Sequence, residues 1–187
     1  MTTPTRISFA EWLWLPIFFA TAVAFFWPAR EAGFVTDWLG GQEQYETGTV
    51  WQALRSFDWV AILPVLFVTN FSLYKMPGSE WLPWFLIFTG LHALNGWQMF
   101  RLVSRLLAGK GGENGDWAAP ATGLLFLLSP YAAEPIVWKA CIQYPLSLFF
   151  LLTSLHQVLR FFENGRPRHA LWTTGLFFLC IYLTEWN

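Results

Sequence analysis

ACIQYPLSLFFLLTSLHQVL, at residues 140–159, is the stretch that decides the fold of this chain. It is 20 residues long and contains no Asp, Glu, Lys or Arg. About 20 mostly apolar residues in a helix are enough to cross the hydrocarbon core of a bilayer. Residues 81–100 form a second uncharged stretch, and residues 12–29 form a third. The sequence therefore predicts helices that cross a membrane.

The composition of the 187-residue chain points to the same class of protein. Charged residues make up 12 % of it, against about 25 % in a soluble globular domain. Hydrophobic residues make up 55 % and aromatic residues 20 %. The formal net charge is -1, so the chain lacks the cationic excess typical of proteins that bind nucleic acids. We therefore expect the lipid bilayer as a partner, and no nucleic acid.

Helices are the expected spanning elements, because the apolar runs are too long and too uniform to alternate as barrel strands do. The predicted fold class is an all-α membrane protein, a polytopic helix bundle that forms one transmembrane domain over residues 1–187. Six stretches are candidate spans, at residues 9–27, 59–74, 81–100, 118–131, 140–159 and 170–184.

The basic residues orient the chain, because Lys and Arg prefer the cytoplasmic side near span ends. Arg6 places the N-terminus in the cytoplasm and residues 28–58 outside. Segment 59–74 is the weakest span, since it has 16 residues and contains Pro64 and Asn70. If this segment does not cross, six later basic residues lie in the cytoplasm rather than outside. These are Arg101, Arg105, Lys110, Arg160, Arg166 and Arg168.

The charge distribution thus predicts five transmembrane helices, with in-plane or re-entrant helices in an outer loop at residues 28–80. Six transmembrane helices are the alternative. Within the loop, residues 46–57 carry apolar side chains at helical spacing, which predicts an amphipathic helix on the membrane surface. We expect the membrane to be a bacterial inner membrane.

This orientation brings three carboxylates from distant parts of the chain to the outer face. Asp37 lies in the outer loop, and Glu134 and Glu185 follow the third and fifth crossings. Each also has an ordinary interpretation. Asp37 would initiate a turn or cap a helix, Glu134 would lie beside the start of a helix, and Glu185 would be a charge at a span end. Because charges next to apolar spans are costly, the three are candidate functional residues.

Four stretches, taken in chain order, resemble the N-terminal half of the GT-C integral membrane glycosyltransferases. They are FVTDWLGGQEQYETGT at 34–49, LHALN at 91–95, LLSPYAAEPIVWK at 127–139 and LTE at 183–185. Enzymes of this class transfer sugars from polyprenyl-phosphate donors on the outer membrane face. The resemblance implies the same activity, with a polyprenyl-phosphate sugar as substrate. Together with the orientation, it predicts that Asp37, Glu134 and Glu185 line one outward-facing cavity, with Lys139 near its rim.

The resemblance also implies the catalytic residues. Asp37 matches the acidic residue of the first outer loop, which acts as general base or binds the acceptor. Glu134 matches a second acidic position, which helps to bind the acceptor or a divalent metal. Trp38 follows Asp37 where a second acid would complete a metal-binding pair, and hard cations need several oxygen ligands. We therefore name no metal ligands.

Five further residues are predicted to bind substrate. Lys139 is the best partner for the donor phosphate, although the alternative of a lysine that reaches the headgroups is slightly favoured. Gln143 lies four residues later on the same helical face, and Glu185 belongs to the outer carboxylates. His92 and Asn95, one turn apart, either line the cavity or bond between helices, and the second role is favoured.

Family members run several hundred residues longer, so the 187-residue chain is expected to be incomplete or inactive alone. The alternative function is a non-catalytic accessory subunit of a larger membrane complex, with other membrane proteins as partners. In one version of this alternative function, His92 and His156 act as axial ligands of a haem or pigment.

Overall fold

A computed structural model describes residues 9–31, 49, 81–108, 115–129 and 141–184 of the chain. Within these ranges the regular structure is entirely helical, as the sequence predicts, and no strand occurs. A 3-10 turn, Trp27–Ala29, continues the first helix. The α-helices are α1 (Phe9–Phe26), α2 (Trp81–Leu107), α3 (Gly115–Leu127), α4 (Gln143–Asn164) and α5 (Pro167–Thr184).

The longest of these helices, α2, is the centre of the bundle and packs against α1, α3 and α4, while α5 packs along α4. α1 runs antiparallel to α2. Trp12 near its start stacks on Trp97, with ring centroids 4.6 Å apart, and Trp27 just after its end meets Trp81 at 6.1 Å. α4 runs parallel to α2, because Asn95 bonds its first turn and Arg105 its last turn.

These directions give the bundle two ends of different character. The arginine end is formed by the start of α1, the C-terminal ends of α2 and α4, and the start of α5. The loop end is formed by Trp27 and Trp81, so the chain leaves α1 and enters α2 on the same side of the bundle. The arginine end carries Arg101, Arg105, Arg160, Arg166 and Arg168.

A two-residue turn connects α4 to α5. Gly165 has a φ of 65°, in the left-handed region that glycine adopts without strain, and its N–H donates to Phe161 O at 2.7 Å. Pro167 then starts α5, in the first-turn position where its missing N–H costs nothing. Helix thus covers the polar residues between the two candidate spans, 160–169, except Gly165 and Arg166.

Close packing of α1, α2 and α3 forms the core. Phe18 of α1 is fully buried, and it reaches the point where Gly96 of α2 meets Gly123 of α3. A methyl group built on Gly123 would lie 2.6 Å from Phe18 Cζ and 3.1 Å from Gly96 O. Leu127 fills the same contact, since a methyl group on Gly96 would lie 2.8 Å from its Cδ2. Glycine at both positions therefore lets the helices approach.

The predicted number of five transmembrane helices is too high for the described residues. Two helical stretches there are long and apolar enough to cross a membrane, Ala10–Ala29 and Gln143–Asn164. α3 has 13 residues, which at 1.5 Å per residue reach about 20 Å against about 30 Å of hydrocarbon. α2 has the length, but polar residues in its second half, including Gln98 and Arg101, dilute its apolar character. α5 begins with basic residues.

The outer-loop predictions lie outside the described residues. This applies to the amphipathic helix at 46–57 and to the in-plane or re-entrant segment 59–74. Both stay predictions.

Candidate functional site

Buried polar side chains of α2 form the candidate site. His92 is 3 % exposed, Asn95 is fully buried, and Gln98 is 5 % exposed. They face α3 and α4, at the boundary of segment 130–140, which contains the stretch with Glu134 and Lys139. Polar groups at such positions need partners, and those partners define what the site can do.

His92 bonds the C-terminal end of α3. Its Nε2–H donates to Leu127 O at 3.2 Å, and Leu127 is the last residue of α3. Carbonyl groups in the last turn of a helix have no partner within the helix, so this bond satisfies one of them. The imidazole ring also packs against Phe26 of α1 and Phe126 of α3, with centroid distances of 5.7 and 4.9 Å. His92 thus joins three helices.

Asn95 makes the corresponding contact to the start of α4. Its Nδ2 donates to Pro145 O at 2.8 Å. Among the described residues, its Oδ1 has no hydrogen-bond partner, and the same is true of Oε1 of Gln143, which opens α4. Both residues are at least nine-tenths buried. Two buried amide oxygens at one end of α4 are therefore ready to accept hydrogen bonds.

A polar seam continues from this site along α2 and α4 to the arginine end. Thr153 Oγ1 donates to Gln98 Oε1 at 3.0 Å, and His156 Nε2 donates to Gln98 O at 3.1 Å. Arg105 donates from Nη1 to His156 Nδ1 at 3.5 Å and forms an ion pair with Glu163 at 3.4 Å. The seam therefore fixes the register between α2 and α4.

The structure brings together part of the predicted site. Asn95 contacts the first turn of α4, which begins at Gln143, and His92 lies one turn before Asn95 on α2. The interhelical role favoured for His92 and Asn95 agrees with these bonds. The remaining predicted site residues, Asp37, Glu134, Lys139 and Glu185, lie outside the described residues, so their predicted shared cavity stays a prediction.

The hydrogen bonds of His92 and His156 are relevant to the alternative in which these residues are axial ligands of a haem or pigment. Both ring nitrogens of His156 have partners, Gln98 O and Arg105 Nη1, so neither nitrogen faces an open axial position. His92 also uses its Nε2 to bond a carbonyl. Within the part of the chain that the structure describes, no three His, Cys, Asp or Glu side chains are grouped as metal ligands. This geometry argues against His156 as an axial ligand.

Sequence reasoning missed Gln98, Thr153 and Arg105 as members of the polar seam. The signal was present, because Asn95, Gln98 and Arg105 share one face of α2 at helical spacing. Arg105 was instead assigned to a cytoplasmic loop, since the span was expected to end at residue 100.

A groove of about 510 Å³ lies at the arginine end, between α1, α2 and α3. Trp14, Phe100 and Trp117 provide aromatic walls, and Glu11 and Ser104 provide polar groups. Its nearest residue on α2, Phe100, lies five residues, or about 1.4 turns, beyond Asn95, and none of the candidate site residues that the structure describes lines the groove.

Compared with known proteins, the sequence matches no family model, and no curated protein or solved structure is detectably similar to it.

Proposed function

We propose that the chain is an integral membrane helix bundle that binds a polyprenyl-phosphate-linked sugar, as a module of the GT-C type. The membrane part rests on the exposure of apolar side chains. In the two apolar stretches, 17 % and 28 % of the residues are buried, whereas the core helix of a soluble protein is mostly buried. On α5, Leu171 is 76 % and Phe178 is 66 % exposed. A surface of this kind is stable in lipid and prone to aggregate in water.

The orientation rests on the two ends of the bundle. All five arginines of the arginine end face the same side, which is the side expected to lie in the cytoplasm. The loop end, where Trp27 meets Trp81, then faces outside. This arrangement supports an even number of crossings between residues 32 and 80, as the prediction for segment 59–74 requires.

Cysteine labelling in intact cells tests both the membrane and its orientation. Glu31→Cys lies at the loop end, and Arg166→Cys lies in the turn between α4 and α5. Both positions are exposed, whereas the native Cys141 and Cys180 are buried. An impermeant maleimide is expected to label the cysteine at 31 and not the cysteine at 166. Labelling of position 166 from outside would contradict the orientation, and release of the chain by alkaline carbonate would contradict membrane integration.

The sugar-binding part rests on one observation, the amide oxygens of Asn95 and Gln143, which have no hydrogen-bond partner among the described residues. Sugar hydroxyl groups donate hydrogen bonds, and a ligand that supplies donors is favoured at such a site, because an unsatisfied buried acceptor costs about 1–3 kcal/mol. The resemblance supplies the identity of the ligand and the proposed roles of Asp37 as base and Glu134 in binding the acceptor. Lys139 is proposed as the phosphate partner and Glu185 as a further substrate-binding residue.

Binding of polyprenyl-phosphate-glucose to the purified chain in detergent tests this proposal. Asn95→Ala and Gln143→Ala are each expected to weaken binding by about five- to ten-fold, the loss of about one hydrogen bond. Gln157→Ala is the matched control, because Gln157 is also an amide of α4, but its Oε1 accepts from His169 Nδ1 at the arginine end. Equal loss in all three variants would indicate a general packing defect and contradict the site.

A second candidate function is a non-catalytic accessory subunit. The exposed aromatic face of α5, which includes Trp172 and Phe178, favours it, because such a face also packs against partner helices. Stable purification with other membrane proteins, together with no binding of the lipid-linked sugar, would support the accessory function over the GT-C module.

A further inference from the structure

Charge is strongly asymmetric between the ends of the bundle. Within the described ranges, the five arginines of the arginine end are accompanied by three carboxylates, Glu11, Asp116 and Glu163. At the loop end, Arg30 is matched by Glu31, with their side chains 2.8 Å apart. The arginine end therefore has a net positive charge that its own residues do not balance.

Three of these arginines lie on the adjoining faces of α2 and α4. Arg105 of α2 bonds His156 and forms an ion pair with Glu163, both of α4. Arg101 lies one turn before Arg105 on α2, and Arg160 lies one turn after His156 on α4. The three arginines thus come from two helices that meet at the bond between Arg105 and His156.

Arg101 occupies the face of α2 between α1 and α4. One turn before it on α2, Trp97 donates from Nε1 to Glu11 O of α1 at 2.8 Å, and Gln98 O accepts from His156 of α4. Residues three and four apart on a helix are neighbours, so Arg101 lies between the helices that make these two contacts. Its side chain is half-buried there.

The Arg101 side chain is held in a fixed orientation and retains a free donor. Its guanidinium lies 4.7 Å from the Trp97 ring centroid, and Trp97 in turn stacks on Trp12. Its Nε is buried and has no hydrogen-bond partner among the described residues. A planar guanidinium stacked on an aromatic ring presents its edge for paired hydrogen bonds, which fit phosphate oxygens.

We infer that Arg101, Arg105 and Arg160 bind the phosphate of an anionic phospholipid from the leaflet at the arginine end. This inference rests on the membrane integration proposed above. Arg101 lies six residues before the end of α2, or about 9 Å along its axis, which is a suitable depth for a headgroup. On the two helices that flank Arg101, Trp12 and Leu13 of α1 and Leu155 of α4 are exposed and would contact the acyl chains.

Native mass spectrometry of the full chain, released from detergent with defined lipids, tests the inference. The probes are phosphatidylglycerol, phosphatidylcholine and inorganic phosphate. We expect phosphatidylglycerol to bind in preference to phosphatidylcholine, and inorganic phosphate not to compete at equal concentration. Competition by inorganic phosphate would assign the site to a free anion and overturn the lipid assignment.

Substitutions separate this site from general attraction of anionic lipid by positive charge. Each arginine removed should reduce the preference for phosphatidylglycerol about five-fold, and the pair Arg101→Gln with Arg160→Gln about 25-fold. The matched control is Arg30→Gln, because Arg30 also stacks on tryptophans, 4.9 Å from Trp27 and 5.8 Å from Trp81, but at the loop end. The control should keep the full preference.

Further outcomes distinguish failure of this inference from failure of the proposed membrane function. Equal losses in the control and in the arginine-end variants would mean that net charge alone attracts the lipid. If the double variant does not fold, Arg160→Gln alone and Arg101→Lys, which keeps the charge but loses the planar group, provide the same comparison. A chain that carbonate extracts from membranes would refute the proposed membrane function, whereas an integral chain without lipid preference would refute this inference alone.

Discussion

Replacement of Gly123 by alanine probes the closest approach in the bundle. The added methyl group would lie 2.6 Å from Phe18 Cζ and 3.0 Å from Phe18 Cε2, whereas carbon atoms prefer about 3.5–4.0 Å. Phe18 cannot easily retreat, since it is fully buried between Trp14 and Phe100. On the other side, the methyl would lie 3.1 Å from Gly96 O, a backbone atom. Overpacking of this kind costs about 1–3 kcal/mol.

Gly175→Ala is the matched control, because it is also inside a helix and a methyl group there meets no atom within 4 Å. Both substitutions gain up to about 1 kcal/mol from the better helix propensity of alanine. The free energy of unfolding of the Gly175→Ala protein should therefore rise slightly. That of the Gly123→Ala protein should fall about 1–3 kcal/mol below the control.

Circular dichroism during thermal and SDS-induced unfolding, in dodecyl maltoside micelles, measures both values. A double variant, Gly123→Ala with Phe18→Leu, adds a direct test of the contact. The smaller side chain makes room for the methyl, so the two changes should cost less together than the sum of their separate costs. Equal stability of the two glycine variants, or strict additivity in the double variant, would refute the packing described for α1, α2 and α3.

Three further changes address other parts of the bundle, and the same unfolding assay measures each. Leu127→Ala should lower the free energy of unfolding by about 2–5 kcal/mol, since Leu127 is fully buried and its loss leaves a cavity; a loss below 1 kcal/mol would contradict its burial. Gly165→Ala should cost about 1 kcal/mol, because a residue with a Cβ is strained at a φ of 65°, and Gly165→Asn should cost less. Thr153→Val should cost about 0.6 kcal/mol by removing the bond to Gln98, and no effect when Gln98 is already alanine would confirm that this bond is the cause.

Much of the helical architecture is legible in the sequence. Uncharged runs place α1, α2 and α4 correctly, because burial or lipid contact excludes unpaired charges from these stretches. The helix ends were less predictable. α2 continues seven residues beyond the expected end at residue 100, since Arg105 can remain helical when Glu163 and His156 of α4 receive its guanidinium. Contacts of this kind depend on a neighbouring helix, which a local pattern does not reveal.

The candidate site was predictable in part. The spacing of His92 and Asn95 indicates one helical face, and bonding between helices was the favoured interpretation. The hydrogen-bond partners of the two side chains could not be predicted from the sequence. Both bond backbone carbonyl groups, Leu127 O and Pro145 O, and every residue has a backbone carbonyl group. The predicted number of transmembrane helices was too high for a different reason. Apolar composition does not distinguish a full span from a short helix such as α3.

The adjacency of Trp27 and Trp81 makes residues 32–80 an insertion into a helical hairpin. Each doubling in length of a flexible loop between fixed ends adds only about 0.6 kcal/mol to its closure. The insertion can therefore grow, shrink or be exchanged for a short linker while α2–α5 keep their orientation. In the membrane bundle proposed above, one further crossing within residues 32–80 would turn all five arginines of the arginine end toward the opposite side of the bilayer. The orientation of such a bundle therefore depends on the parity of the crossings in this region and not on its length.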